Sequence, residues 1–320
     1  MRSAFILSVL AVILSPAIAF GQGFPSKPVR IVLPFGPGGV ADITTRTIAP
    51  RMSEGLGQQV IVENMPSAGG IRASETVARA EPDGHTLLLL TNGNAVSQAL
   101  FKSLPYDPMN DFSMISTVGF FSMVFVTRAD SPLKSLQDVL AAAKAKPGTL
   151  NIGTISPGGT QHLAGELFRS TAGIDAVVVP HKTTGEVVIG VRNGSLDMAV
   201  DFIAPLISSI RSGALRPLAV TAGKRFPGLP DVPTAIEAGV AGYDVASWNA
   251  LAAPAKTPRA AIDRVRAELI KALANPEVQK RFAELGVEGR PSTPEQLRDF
   301  FVSESARWGR VVEAAKIPKQ

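Results

Sequence analysis

Two short runs of the sequence carry the residue types that hold an anion: Pro34-Phe35-Gly36-Pro37-Gly38-Gly39 and Ser156-Pro157-Gly158-Gly159-Thr160. Glycine has no Cβ, so Gly38, Gly39, Gly158 and Gly159 let a ligand approach the backbone closely. Each run follows an apolar stretch and opens a helical one. The first turn of a helix has N–H groups without intrahelical partners and carries the positive end of the helix dipole. Such a turn suits a carboxylate or a phosphate, and Ser156 and Thr160 add hydroxyls to the second. One glycine turn is equally a tight connection and nothing more. Two in matching positions favour binding.

Other side chains extend these turns. Asp42 follows the first. His181, Lys182 and Thr183 end a strand where a ligand would lie, and Asp201 ends another, where an acid either caps a neighbouring helix or meets a donor on the ligand. Gly36-Pro37-Gly38-Gly39-Val40-Ala41 also satisfies G-x-G-x-x-A, with Glu63 at the end of the next strand, as in a dinucleotide site. An exported NAD-dependent oxidoreductase is therefore the enzyme alternative. It ranks behind a binding protein because Pro34-Phe35 separates the strand from the first glycine and Pro37 stiffens the turn. There is no G-x-S-x-G, P-loop or H-E-x-x-H pattern. His162 and Glu166 stand four apart on one helix without a third ligand, so a packing or surface role is expected there, and a structural one for His85. No catalytic residue, cofactor or metal is expected.

The elements that position these residues alternate. Strands at 29–33, 60–63 and 86–90 alternate with helices at 41–56 and 71–80, the pattern of a parallel sheet covered on both faces. The pattern restarts with strands at 123–127, 150–155, 176–180 and 196–202 and helices at 136–144, 161–170 and 185–193. A coil rich in Pro and Gly (227–245) leads to a strand at 248–253. Helices at 259–274, 276–285 and 294–315 end the chain, with Trp308 read as packing and Trp248 as buried near a hinge. Ligands in open α/β sheets bind beyond the carboxyl ends of strands. Two facing turns would clamp one small molecule.

The 320 residues suggest two domains. A charged fraction of 18% with mean hydropathy +0.19 excludes a disordered chain, and zero cysteine excludes disulfides, zinc ribbons and thiol chemistry. Arg2, the apolar run Ala4–Leu14 and Ala17-Ile18-Ala19 read as a cleaved secretory signal, residues 1–19, which places the mature chain in the periplasm of a bacterium with an outer membrane. Loss of Arg2 lowers the formal charge of +5 by one. No basic run of nucleic-acid type is present, so the balance is read as weak steering of anionic small molecules; no nucleic-acid partner is expected, and the protein is expected to be a monomer.

The chain resembles the substrate-binding proteins of tripartite tricarboxylate transporters, the Bug (TctC-like) family. The resemblance rests on Pro34 to Gly39, which fits P-[FY]-x-P-G-G, and on Pro82-Asp83-Gly84, Leu104-Pro105-Tyr106-Asp107-Pro108, Gln161-His162-Leu163-Ala164-Gly165-Glu166, Gly194-Ser195-Leu196-Asp197 and Leu229-Pro230-Asp231-Val232-Pro233-Thr234. It implies a type II periplasmic-binding-protein fold, with two α/β domains joined by a hinge and a ligand cleft between them. The expected boundaries are 24–123 plus 248–320 for one domain and 124–247 for the other. The resemblance also implies that loops 34–42 and 156–161 hold a small carboxylate, that the partner is a membrane permease met transiently, and that nothing is catalysed. A sensor component presenting its ligand to a receptor would look the same. The chain departs from the family at His181-Lys182-Thr183-Thr184, where Tyr-Lys-Gly-Gly is usual, and its second loop is one residue shorter. His181 and Lys182 add charge that suits a second carboxylate.

Overall fold

The computed structural model describes residues 23–155 and 157–320. The expected signal segment and Ser156 lie outside the described residues. The strands are β1 (Val29–Leu33), β2 (Val60–Asn64), β3 (Thr86–Thr91), β4 (Phe112–Arg128), β5 (Leu150–Ile155), β6 (Ala176–His181), β7 (Met198–Phe202), β8 (Leu215–Val220), β9 (Ala246–Pro254) and β10 (Val287–Gly289). The helices are α1 (Val40–Leu56), α2 (Ile71–Ala78), α3 (Asn92–Leu100), α4 (Leu136–Ala145), α5 (Thr160–Thr171), α6 (Thr184–Asn193), α7 (Ile203–Arg211), α8 (Arg259–Ala274), α9 (Pro276–Glu284) and α10 (Pro294–Ala314).

The strand order is β2-β1-β3-β9-β4-β7-β5-β6, with β8 and β10 also pairing β4. Each parallel triad expected from the alternation is present: β1 pairs β2 and β3, and β5 pairs β6 and β7. The sheet as a whole is mixed rather than parallel. β9 runs antiparallel to β3, and β4 runs antiparallel to β7, β8 and β9. The strand expected at 123–127 is the far end of a 17-residue strand. Its first part, Phe112 to Ser122, pairs β9, whereas Met123 to Arg128 pair β7 and β8. One strand thus runs through both sheets and ties two α/β lobes together.

Each lobe buries its sheet between helices. In the first, Val29, Ile31, Leu33, Leu87 and Leu89 pack toward α1 and α8, while Val32, Leu88 and Leu90 face α2 and the start of α10. Period-2 alternation produces this: successive side chains go to opposite faces, and both faces are covered, so nearly every residue is apolar. In the second lobe Ile152, Met198 and Val200 meet α4 and α5, and Val124, Val126 and Ala199 meet α6 and α7.

Two helices that pack on the first lobe reach across. Val96 and Leu100 of α3, and Trp308, Val311 and Val312 of α10, join the core of the second lobe. Both tryptophans are fully buried and donate to the same oxygen of Glu304, Trp308 at 2.8 Å and Trp248 at 3.2 Å. A buried indole N–H needs an acceptor. Here one carboxylate serves both and fixes α10 to β9. Arg307 donates to the Asp244 carbonyl, which adds the crossover before β9 to the same tie. Among the described residues no helix is long and apolar enough to cross a membrane.

Candidate functional site

β1 and β5 end at equivalent places, and the turns after them share Pro-Gly-Gly before the helix, the first turn being two residues longer. In the first turn Gly38 has φ +87°, a left-handed value that favours glycine, and Gly39 (φ −76°, ψ 166°) caps α1. Gly158 (φ +75°) and Gly159 (φ −74°, ψ 169°) do the same for α5. The first intrahelical bonds are Ile43 N–H to the Gly39 carbonyl and Leu163 N–H to the Gly159 carbonyl. The two or three amides before them have no acceptor within either helix. Both glycine turns therefore open helices, as the glycine pattern predicts.

Each turn is braced by the side chain four residues beyond its left-handed glycine. The Gly38 N–H donates to Asp42 Oδ2 at 2.9 Å, and the Gly158 N–H donates to His162 Nδ1 at 2.9 Å. Asp42 also accepts from Arg46 Nε and Asn64 Nδ2, each at 2.9 Å on Oδ1, and Asn64 reaches the Phe35 carbonyl at 3.0 Å. The end of β2 therefore holds the first turn in place. Burial alone would raise the Asp42 pKa, but the Gly38 amide, Arg46 and Asn64 outweigh it and hold the carboxyl below its ordinary value. His162 is buried, and burial lowers its pKa although Glu166, 3.9 Å away, pulls the other way. A neutral imidazole is what the turn requires, since Nδ1 accepts only without a proton.

The remaining expected residues lie around these turns. Phe35 is 42% exposed, and Gly36, Pro37, Gly38 and Gly39 form an open rim, whereas Gly158 is buried against Leu100. Asp201 is fully buried at the end of β7. It accepts from Gln161 Nε2 (3.1 Å), Thr184 Oγ1 (2.6 Å) and the Phe202 amide (2.7 Å), joining the starts of α5 and α6. Burial raises its pKa against those three donors. Asp42 and Asp201 thus have their oxygens occupied by the protein and act on the turns rather than presenting a free charge. Thr183 caps α6 by accepting from the Glu186 amide at 3.3 Å. Lys182 is exposed and its amide donates to Glu186, while His181 Nδ1 lies 3.0 Å from the Val179 carbonyl.

The lobes meet beside Thr160. Its Oγ1 accepts from Asn92 Nδ2 at 3.1 Å and lies 3.4 Å from Ser247 Oγ. Sequence reasoning missed Asn92 and Ser247 because they come from segments far from either glycine run. It also read His162 as packing, although its spacing from Gly158 equals that of Asp42 from Gly38, a signal present in the sequence. His85 is structural: its Nε2 accepts from the Ser26 amide, and its ring meets Phe24 edge-on. Among the described residues no group of three or more His, Asp or Glu could hold a metal.

The lobed α/β fold with paired glycine turns over a shared strand is that of a periplasmic binding protein. The chain belongs to the tripartite tricarboxylate transporter family receptor family (TctC), whose model matches residues 44–317. It is 37% identical to a protein encoded between tcbD and tcbE in Pseudomonas sp. strain P51, over 91% of this chain and 87% of that one. It is 33% identical to protein BugT of Bordetella pertussis, over 90% and 89%. Among solved structures it is similar to Rpa4515 of R. palustris with adipate (30% identity, TM-score 0.81, 93% of this chain and 100% of that one). It is likewise similar to MatC from Rhodopseudomonas palustris with bound malate (32%, TM-score 0.76, 90% and 100%).

Proposed function

We propose that this chain is a periplasmic solute-binding protein that captures a small organic carboxylate between its lobes and hands it to a membrane permease of the tripartite tricarboxylate type. The observation that carries the reading is the duplicated turn: two left-handed glycines, each followed by a capping glycine and a helix start, one after β1 and one after β5. The lobes are 24–123 with 248–320, and 124–247, joined through β4 and β9. The ligand set is Phe35 to Gly39 on one side and Ser156, Gly158, Gly159 and Thr160 on the other. Asp42 and Asp201 brace it, and His181, Lys182 and Thr183 flank it. Relatives holding adipate and malate support a carboxylate as cargo.

The protein performs no catalysis in this reading. The dinucleotide alternative needs Glu63 for a ribose, and Glu63 is bonded to Arg30 Nη1 at 3.1 Å on the adjacent strand. A thermal-shift panel of di- and tricarboxylates, aromatic acids, amino acids and NAD tests both readings. A ligand that binds only the folded state stabilises it by about 2.7 kcal/mol at a hundredfold excess over Kd. A shift with one carboxylate class and none with NAD is expected, and a shift with NAD alone overturns the proposal.

A further inference from the structure

The cleft floor beside Thr160 holds two amide side chains whose hydrogen bonding is incomplete. Asn92 opens α3 directly after β3. It is 1% exposed and donates across the lobes to Thr160, but its Oδ1 has no partner in the protein. Asn249 stands on β9 opposite Thr91, is 3% exposed, and its Nδ2 has no acceptor in the protein. Ser247, two residues earlier on the same face of β9, reaches Thr160. The two unmatched atoms therefore come from adjoining strand ends next to the first residue of α5, where the second turn offers its amides.

A buried polar atom without a partner is costly, so folded proteins keep very few. Binding sites are where such atoms persist, because the right ligand completes them and the wrong one leaves them unmet. The two atoms here are of opposite kind, one acceptor and one donor. A carboxylate would satisfy Asn249 Nδ2 but repel Asn92 Oδ1, and an ammonium would do the reverse. A hydroxyl donates and accepts through one oxygen.

We propose that Asn92 and Asn249 read a hydroxyl on the carbon next to the bound carboxylate, so that the preferred cargo is a 2-hydroxy acid rather than its deoxy counterpart. The proposal rests on the carboxylate reading above and assigns specificity to two residues outside both glycine turns. Titration calorimetry on the mature protein, with matched pairs of increasing length, tests it. The pairs are propionate and lactate, succinate and malate, glutarate and 2-hydroxyglutarate, and adipate and 2-hydroxyadipate.

In the best-fitting pair one enantiomer of the hydroxy acid is expected to bind at least about tenfold tighter than the deoxy acid. Asn92→Ala and Asn249→Ala should each bring that ratio close to one, with the deoxy acid measured on the same variant as the reference because Asn92→Ala also releases Thr160. Asn249→Asp keeps the shape and replaces the donor with an acceptor, so it should also abolish the preference. Unfolding midpoints show whether each variant is folded. Equal binding of both members by the wild type, or a ratio that survives in the folded variants, overturns the assignment and leaves the carboxylate reading intact. If no carboxylate of any length binds, both fall together.

Discussion

Pro37-Gly38-Gly39 and Pro157-Gly158-Gly159 lead into helices with nearly the same backbone angles and the same brace four residues beyond the left-handed glycine. Their surroundings differ. The first turn is solvent-facing, and its brace is an ionised carboxylate held by Arg46 and Asn64. The second is packed against Leu100, and its brace is a buried neutral imidazole. Both acceptors serve one amide, so the backbone conformation is the conserved quantity between the halves and the chemistry that enforces it is interchangeable. The exchange has a consequence: the two turns depend on pH in different ranges.

The largest expected effect separates the turns by packing. Valine at either left-handed glycine strains the backbone by about 2 kcal/mol. A Cβ at Gly158 would also lie 3.0 Å from Leu100 Cδ1, whereas one at Gly38 meets nothing within 4 Å. Gly158→Val should therefore cost about 4 kcal/mol in denaturant unfolding against about 2 for Gly38→Val, the excess being overpacking. Equal losses would mean that Leu100 yields freely.

Removing the braces is next. His162→Ala deletes a buried ring and strands a buried amide, for about 2–3 kcal/mol. Asp42→Ala should cost about 1–2 kcal/mol, because Gly38 and Arg46 are exposed and water replaces the lost acceptor. Paired unfolding curves give the order, and a reversal would show that the Arg46–Asp42–Asn64 set carries more than its exposure suggests.

The pH windows sharpen the contrast further. The folded-state pKa of His162 lies below its unfolded value of 6.5, so the unfolded chain binds the extra proton and stability falls as pH drops below about 6.5. Asp42 is also depressed, from 3.8, so its contribution is complete above that value and is lost only at lower pH. His162→Asn, which keeps an acceptor but does not titrate, should flatten the stability profile between about pH 6.5 and 5. Asp42→Asn should lower stability at neutral pH and flatten only the limb below about pH 4. A wild-type profile flat from pH 7 to 5 would contradict the assignment for His162.

The smallest expected change is a gain. Asp201 is buried with a raised pKa, so its ionised form at neutral pH carries a penalty that fades as pH falls through its folded pKa. Asn can accept from Gln161 and Phe202 through oxygen and donate to Thr184. Asp201→Asn should therefore raise stability at pH 7 by about 1 kcal/mol, read as a higher unfolding midpoint. A loss would mean that the ionised carboxylate is needed to hold α5 and α6 together.

Much of the fold was legible because its signals are local. Val29 to Leu33 reads as a buried strand from its β-branched run, α1 stops at Gly57, whose φ is +71°, and α10 starts at a Thr293/Gln296 capping box with Pro294 in its first turn. The long strand β4 was not legible, because Gly119 and Ser122 look like breaks. Gly119 is there because β10 lies against it: a Cβ would sit 3.0 Å from the Glu288 carbonyl. Helix α3 has no counterpart in the elements expected from the sequence, and the Thr91/Asn94 capping box makes it a helix start.

The sequence by itself determined where the glycine turns fall and that each opens a helix, since backbone freedom and helix starts depend on neighbours a few residues apart. It also carried the equal spacing of Asp42 and His162 behind their glycines. Only the tertiary structure decided what surrounds those turns. Asn92 meets Thr160 across 68 residues, Thr160 meets Ser247 across 87, and Asn249 is set opposite Thr91 by β3–β9 pairing. Which polar atoms remain unmatched at the cleft floor follows from those long-range pairings, because a hydrogen bond is satisfied in space and not along the chain.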